Sequence, residues 1–140
     1  MKILLPVDGS DYTKRMLGYV AAHDEMFGSG HEYVVVTAVA PLPLNVTRFL
    51  DNSTIQDYQV EQAEHALEPV RAFAQQKGWK IRASHVVGPA AETIAAVADR
   101  EKPDLIVMGS HGHSALGSLV LGSVASGVLA RCKVPVLLIR

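Results

Sequence analysis

Behind the apolar run DLIVM, Gly109 to Ser123 read GSHGHSALGSLVLGS: four glycines, four serines and two histidines in one polar stretch. Gly109 and Gly112 would let the backbone come close to a ligand and take up positive φ, so that several N–H groups point into one concavity. Gly122 and Ser123 stand at the start of a helix-like segment, where free N–H groups and the positive dipole end attract an anion. Two donor clusters facing each other suit a polyphosphate. The residues alone leave a second reading open, a flexible turn in which Ser123 only caps the helix. The spacing G-x2-G-x9-G-S is nonetheless more specific than a lone G-x-G-x-x-G.

Asp8, in VDGSD, lies at the end of the first apolar run and is either a turn and helix-start residue or a ligand contact. No G-x-x-x-x-G-K-[ST] string exists, so no lysine is placed to reach β and γ phosphates, and binding is better supported than turnover. His111 and His113 form an H-x-H pair that could bind metal or shuttle protons. Without a third ligand they read as solvated or as donors to phosphate. Arg131 and Lys133 complement the negative end of the last helix, and Cys132 reads as core.

The elements that must position these residues alternate along the chain. Lys2 to Val7 (KILLPV) reads as a first strand. A helix follows with Ser10 or Asp11 as N-cap and Met16, Leu17, Val20 and Ala21 at helical spacing, closed by Gly28 and Gly30. Glu32 to Val39 is β-branched and nearly continuous, the pattern of a strand covered on both faces, and Pro41 and Pro43 then break regular structure. Asp51 to Lys77 suits an amphipathic helix that Pro69 should kink. Lys80 to Val87 is a third strand, partly alternating and so nearer an edge. A helix opened by Pro89 buries Ile94, Val97 and Ala98. Asp104 to Met108, Ser123 to Cys132 and Val134 to Arg140 complete the series as strand, helix and strand.

Strict alternation with right-handed crossovers implies an α/β fold, an open five-stranded parallel sheet with helices on both faces. Ligands bind such sheets beyond the carboxyl ends of the strands, where the strand order reverses. The loops after strands two and three, VAPLP and GPA, offer backbone groups or a structural turn. The chain, 140 residues with 49% apolar and 19% charged residues and a formal net charge of −1, reads as one globular domain. That charge gives no general reason to expect nucleic acid or an anionic membrane as partner. One cysteine excludes an intrachain disulfide, and no run reaches the ~18 apolar residues of a membrane helix. With no signal-peptide pattern in MKILLPVDGSD, a cytoplasmic location is expected.

Gly109, Gly112, Gly122 and Ser123 resemble the nucleotide-binding motif of the universal stress protein family, in its ATP-binding branch. MKILLPVDGS, VVVTAV, GPAAETI, PDLIVMGSHG and VPVLLIR are similar to family segments in family order, and Pro41 to Asn52 is not. The resemblance implies a single domain over residues 1–140, Rossmann-like and adenine nucleotide alpha hydrolase-like, with strand order 3-2-1-4-5. It implies an ATP site between strands one and four. Pro6, Val7 and Asp8 would line the adenosine side, Asp8 also lying near a metal-bound phosphate, with Mg2+ as the metal. Val39 would meet adenine through its backbone, and Met108 would pack near the nucleoside. Gly109, Gly112 and His111 would approach ribose and phosphate, and Gly122, Ser123 and Val124 would hold the phosphate tail. It also implies a homodimer through the last strand, Val134 to Arg140, whose apolar edge should be paired or covered.

The function this implies is that of an ATP-binding, nucleotide-dependent stress or signalling factor. The alternative is a slow metal-dependent ATP hydrolase or phosphotransferase using Asp8 and a divalent ion. A receiver-type phosphoacceptor domain ranks low, because it would need an Asp after strand three, which here ends in VVG.

Overall fold

The computed structural model describes residues 1–113 and 120–140; the middle of the glycine-serine stretch, 114–119, lies outside the described residues. Five strands, β1 (Lys2–Pro6), β2 (Glu32–Val39), β3 (Lys80–Val87), β4 (Leu105–Gly109) and β5 (Val136–Ile139), form one sheet. Its pairings are all parallel and its order is β3-β2-β1-β4-β5, as expected. The helices among the described residues are α1 (Asp11–Ala22), α2 (Asp24–Phe27), α3 (Leu44–Thr47), α4 (Asn52–Lys77), α5 (Ala90–Glu101) and α6 (Ser123–Arg131). None of them is long and apolar enough to cross a membrane.

The central strand shows why the sheet is covered twice. Ile3, Leu5 and Val7 pack with Met16, Leu17 and Val20 of α1 and Ala63, Leu67 and Val70 of α4. Leu4 points the other way, to Ile94 and Val97 of α5 and Val128 of α6. Side chains alternate across a strand, so a run apolar at every position requires two covers. Ile3, Leu4 and Leu5 are fully buried, each worth about 1.5–3 kcal/mol relative to exposure. β3 shows the opposite pattern, alternately exposed and half-buried, as befits an edge.

Several boundaries differ from expectation. The first helix stops at Ala22, and His23 turns the chain into the separate α2. The His23 Nδ1 lies 2.8 Å from the Tyr19 carbonyl and its ring stacks on Tyr19, so a side chain rather than a glycine ends α1. Gly28 closes α2 without a left-handed φ. The short α3 forms just beyond Pro43, in the segment where the prolines suggested no regular structure. α4 runs unbroken through Pro69. It starts at Asp51, whose carboxylate accepts the Thr54 N–H at 2.7 Å and is held below the ordinary carboxylate range by that bond. β5 is shorter than Val134 to Arg140, with the Pro135 carbonyl already accepting from the Ile106 N–H at 2.9 Å.

At the end of the sheet away from the strands' carboxyl termini, Tyr33 is fully buried, stacked on Trp79 with ring centroids 4.9 Å apart. Its hydroxyl donates to the carbonyls of Phe27 and Gly28. Burial, aided by the Asp24 carboxylate, pushes its pKa up from 10.0 to about 12. Tyr33→Phe is therefore expected to cost about 1–2 kcal/mol at pH 7. Because the unfolded tyrosine ionises near pH 10 and the folded one near 12, the advantage of the wild type falls as pH rises through that window. Urea unfolding of both proteins from pH 8 to 12 checks this, and a constant difference would contradict it.

Candidate functional site

β1 is the shortest reach in the middle of the sheet. Its last hydrogen bond to β2 is made just past its end, where the Val7 N–H donates to the Val36 carbonyl at 2.9 Å. β2 continues to Val39, whose carbonyl accepts from the Gly88 N–H at 2.9 Å on the β3 side. Backbone groups in a parallel strand turn to alternate neighbours. Val36 faces β1 and Val39 faces β3, so Ala38 presents its N–H and carbonyl to the side that β1 has vacated. A cavity of about 470 Å³ opens there, within the range of small-molecule sites. Thr37, Ala38, Val39 and Ala40 form one wall, Tyr58, Gln62, His65 and Ala66 of α4 a second, and Asp8, Gly9 and His113 close it.

Asp8 stands where the chain leaves β1. One carboxylate oxygen, Oδ1, accepts the Ser10 N–H and the Thr13 hydroxyl, both at 2.9 Å, and the Asp8 N–H donates to Thr13 Oγ1 at 3.1 Å. This is an Asx turn, made possible by Gly9 at φ +75°. The second oxygen, Oδ2, points at Gly112, where a Cβ would lie 2.5 Å from it. Asp8 is thus both the turn residue and a carboxylate with one oxygen turned to the glycine loop.

Gly109 and Gly112 do not adopt the positive φ expected of them, and neither does Gly122; among the described residues the glycines that do are Gly9, Gly78 and Gly88. What the three share is close approach. A Cβ on Gly109 would meet Tyr12 Cβ at 2.7 Å, and one on Gly122 would meet the Ser110 carbonyl at 2.9 Å and His111 Cα at 3.0 Å. Glycine here brings three segments together: the start of α1, the loop after β4 and the start of α6. The Gly122 N–H donates to Ser110 O at 2.8 Å, tying α6 to that loop.

Gly122, not Ser123, is the N-cap of α6, and no side chain caps it. The first intrahelical bond runs from the Ser126 N–H to Gly122 O at 3.0 Å. The N–H groups of Ser123, Val124 and Ala125 are therefore the orphan donors of the first turn. Ser123 is exposed beside them, and Val124 leans partly onto the second core.

The other expected residues shape the site from behind. Pro6, Val7 and Met108 are buried, Met108 among the side chains under α5 and α6. His111 places its ring 5.1 Å from that of Tyr12, with Nδ1 3.0 Å from Ser110 Oγ. His113 is exposed, and its Nε2 lies 2.6 Å from the Asp8 carbonyl. Among the described residues no three His, Cys, Asp or Glu side chains gather as a metal site. Arg131 donates to the Gly127 carbonyl at 3.1 Å and pairs with Glu92 at 3.7 Å, at the far end of α6. Half-buried Cys132 packs against the second core, which raises its thiol pKa.

Thr37, Ala38, Tyr58, Gln62 and His65 were not anticipated. Tyr58, Gln62 and His65 fall at i, i+4 and i+7 along α4 and so share a face. That polar stripe was visible in the sequence, though not the strand end against which it leans.

The family model for universal stress proteins matches residues 1–140. A universal stress protein of Thermus aquaticus, encoded in the 3′ region of a QAH/OAS sulfhydrylase gene, is 38% identical over 140 residues, 99% of this chain and 97% of the relative. The chain belongs to the universal stress protein family. Among solved members of that fold, the Methanocaldococcus jannaschii protein MJ0577 superimposes with a TM-score of 0.83 at 29% identity, covering 99% of this chain and 94% of its own. A universal stress protein from Archaeoglobus fulgidus, solved in complex with dAMP, gives a TM-score of 0.70 at 22% identity over 100% and 98% of the two chains.

Proposed function

We propose that this universal stress protein binds ATP with Mg2+ in the crevice beyond β1, as a single 140-residue domain acting in the cytoplasm as a nucleotide-dependent stress or signalling factor. The observation that carries the reading is that a cavity edged by unpaired strand backbone is closed by Asp8 and by His113 of the loop after β4, the loop to which the start of α6 is tied through Ser110. The Ala38 N–H and carbonyl offer one donor and one acceptor on one edge, the pattern that the N1 and 6-amino group of adenine complement. Val39 borders the same edge, with its own carbonyl engaged by Gly88. The N–H groups of Ser123, Val124 and Ala125 suit the phosphates, and Gly109 and Gly112, by seating the loop against Tyr12 and Asp8, would set its backbone beside ribose and phosphate.

The donor set also fits the metal. Mg2+ keeps most of its waters and takes one or two carboxylates along with substrate phosphates, and Asp8 Oδ2 is a carboxylate oxygen not used by the Asx turn. When bound, Mg2+ would neutralise phosphate charge at that oxygen. The dAMP complex of the Archaeoglobus fulgidus relative supports an adenine nucleotide as ligand class.

We further propose that two copies pair along β5. Among the described strands this one pairs with β4 alone, and Val136, Leu137 and Leu138 along it are half-buried. An open apolar edge strand is a template for association.

Gly122→Val places a side chain against the Ser110 carbonyl and pries α6 from the loop. Calorimetric titration with ATP and Mg2+ should show saturable binding by the wild type and its loss in the variant, with an unchanged far-ultraviolet spectrum. Unchanged affinity would reject the site. Sedimentation of the wild type should give a dimer and Leu137→Lys a monomer; a variant still dimeric at low micromolar concentration would place the interface elsewhere.

A further inference from the structure

We propose that His65 of α4 is a binding residue whose imidazole stacks on the flat face of the nucleotide's base. The inference rests on the nucleotide reading above and adds to it the wall that faces the base.

The direction of α4 follows from the topology. β2 and β3 are parallel neighbours, and α4 joins the end of one to the start of the other. It therefore runs back against the strands, with its N-terminus at the carboxyl end of the sheet. Its level is fixed by one contact: a Cβ on Gly9 would lie 3.5 Å from Ala66 Cα and 3.7 Å from the His65 carbonyl. Across the cavity, the register that pairs Leu5 with Val35 and Pro6 with Val36, carried past the end of β1, sets Ala38 level with Asp8. His65 and Ala38 thus stand at about the same height on two walls of one cavity. The Cα–Cβ bonds of a helix tilt toward its N-terminus, so the His65 side chain leans outward, past the end of β1. Tyr58, two turns earlier on the same face, is about 10 Å farther out along the axis.

The orientation of the base follows from the strand. N–H and carbonyl groups of a strand point sideways, in the sheet, toward its neighbours, and a carbonyl accepts near its own plane. A base that takes both groups of Ala38 is therefore held edge-on, as a flat continuation of the sheet. α4 covers one face of that sheet through Ala63, Leu67 and Val70. What it presents to the base meets the ring face and not the hydrogen-bonding edge, and an imidazole is one of the flat side chains on which bases stack.

The side chains of this wall are uncommitted. Tyr58, Gln62 and His65 line the cavity, and none of them makes a hydrogen bond, ion pair or ring contact among the described residues. Glu64, on another face of α4, is by contrast paired with Arg71. The helix backbone that carries His65 is packed into the core, while the ring itself is exposed and has no task in holding the fold.

The test is proton NMR of the His65 ring in the intact protein titrated with adenosine, its signals assigned by their absence in His65→Phe, together with the affinities of the wild type, His65→Ala and His65→Phe for adenosine and for ATP with Mg2+. The expected result is an upfield shift of the His65 carbon-bound ring protons, the mark of protons held over an aromatic face. His65→Ala should bind both ligands more weakly by one shared factor of about five- to hundredfold, the loss that removing a stacking ring brings. His65→Phe keeps a flat ring without the nitrogens and should regain most of that affinity. A downfield or absent shift, a loss confined to ATP, or His65→Phe as weak as His65→Ala would each overturn the stacking. A wild type that binds both ligands with His65→Ala equal to it overturns this inference alone. A wild type that binds neither ends the nucleotide reading and this inference with it.

Discussion

The site depends on one backbone fact: the central strand stops before its neighbours do. β1 makes its last hydrogen bond to β2 through the Val7 N–H, while β2 pairs with β3 as far as Val39 and Gly88. On the other side β4 reaches Gly109, still in register with Ile139 of β5. The early stop leaves a notch in the carboxyl edge of an otherwise continuous sheet, at the place where the strand order reverses. Asp8 makes the stop. Its carboxylate takes the Ser10 N–H and the Thr13 hydroxyl and turns the chain into α1.

Once the notch exists, close packing converts it into a site. α4 leans over it at Ala66, beside Gly9, where an added Cβ would make only ordinary van der Waals contact. The loop after β4 comes within contact of α1 and Asp8 because Gly109 and Gly112 have no side chains, and α6 starts against that loop because Gly122 has none. Three glycines thus hold three segments, the start of α1, the loop after β4 and the start of α6, in close contact. A side chain at any of them would have to move backbone or an anchored carboxylate.

Much of this was legible in the sequence. The strands were readable because runs such as KILLP and EYVVVTAV can only be covered on both faces, and the order of the sheet came from the family resemblance rather than from the pattern. Local interactions without a sequence signal escaped notice. His23 ends α1 by stacking on Tyr19, and α3 forms after two prolines. The loop glycines were identified both for close approach to a ligand and for positive φ; the structure shows close approach, to Tyr12 and Asp8, and no positive φ, which a sequence does not distinguish. Ala38 was missed beside Val39 because strand parity, which decides whose backbone faces the notch, depends on where β1 ends. The α4 face of Tyr58, Gln62 and His65 lacked a partner until the tertiary packing supplied one.

The most direct test of the notch as the nucleotide site is an amide-resolved NMR titration of the intact protein with ATP and Mg2+. The account predicts saturable shifts concentrated at Ala38 and Ala40 on the base side, at Gly112, and at Ser123, Val124 and Ala125 at the start of α6. Saturation with those amides unmoved, or with the largest shifts along β3 or β5, would contradict it.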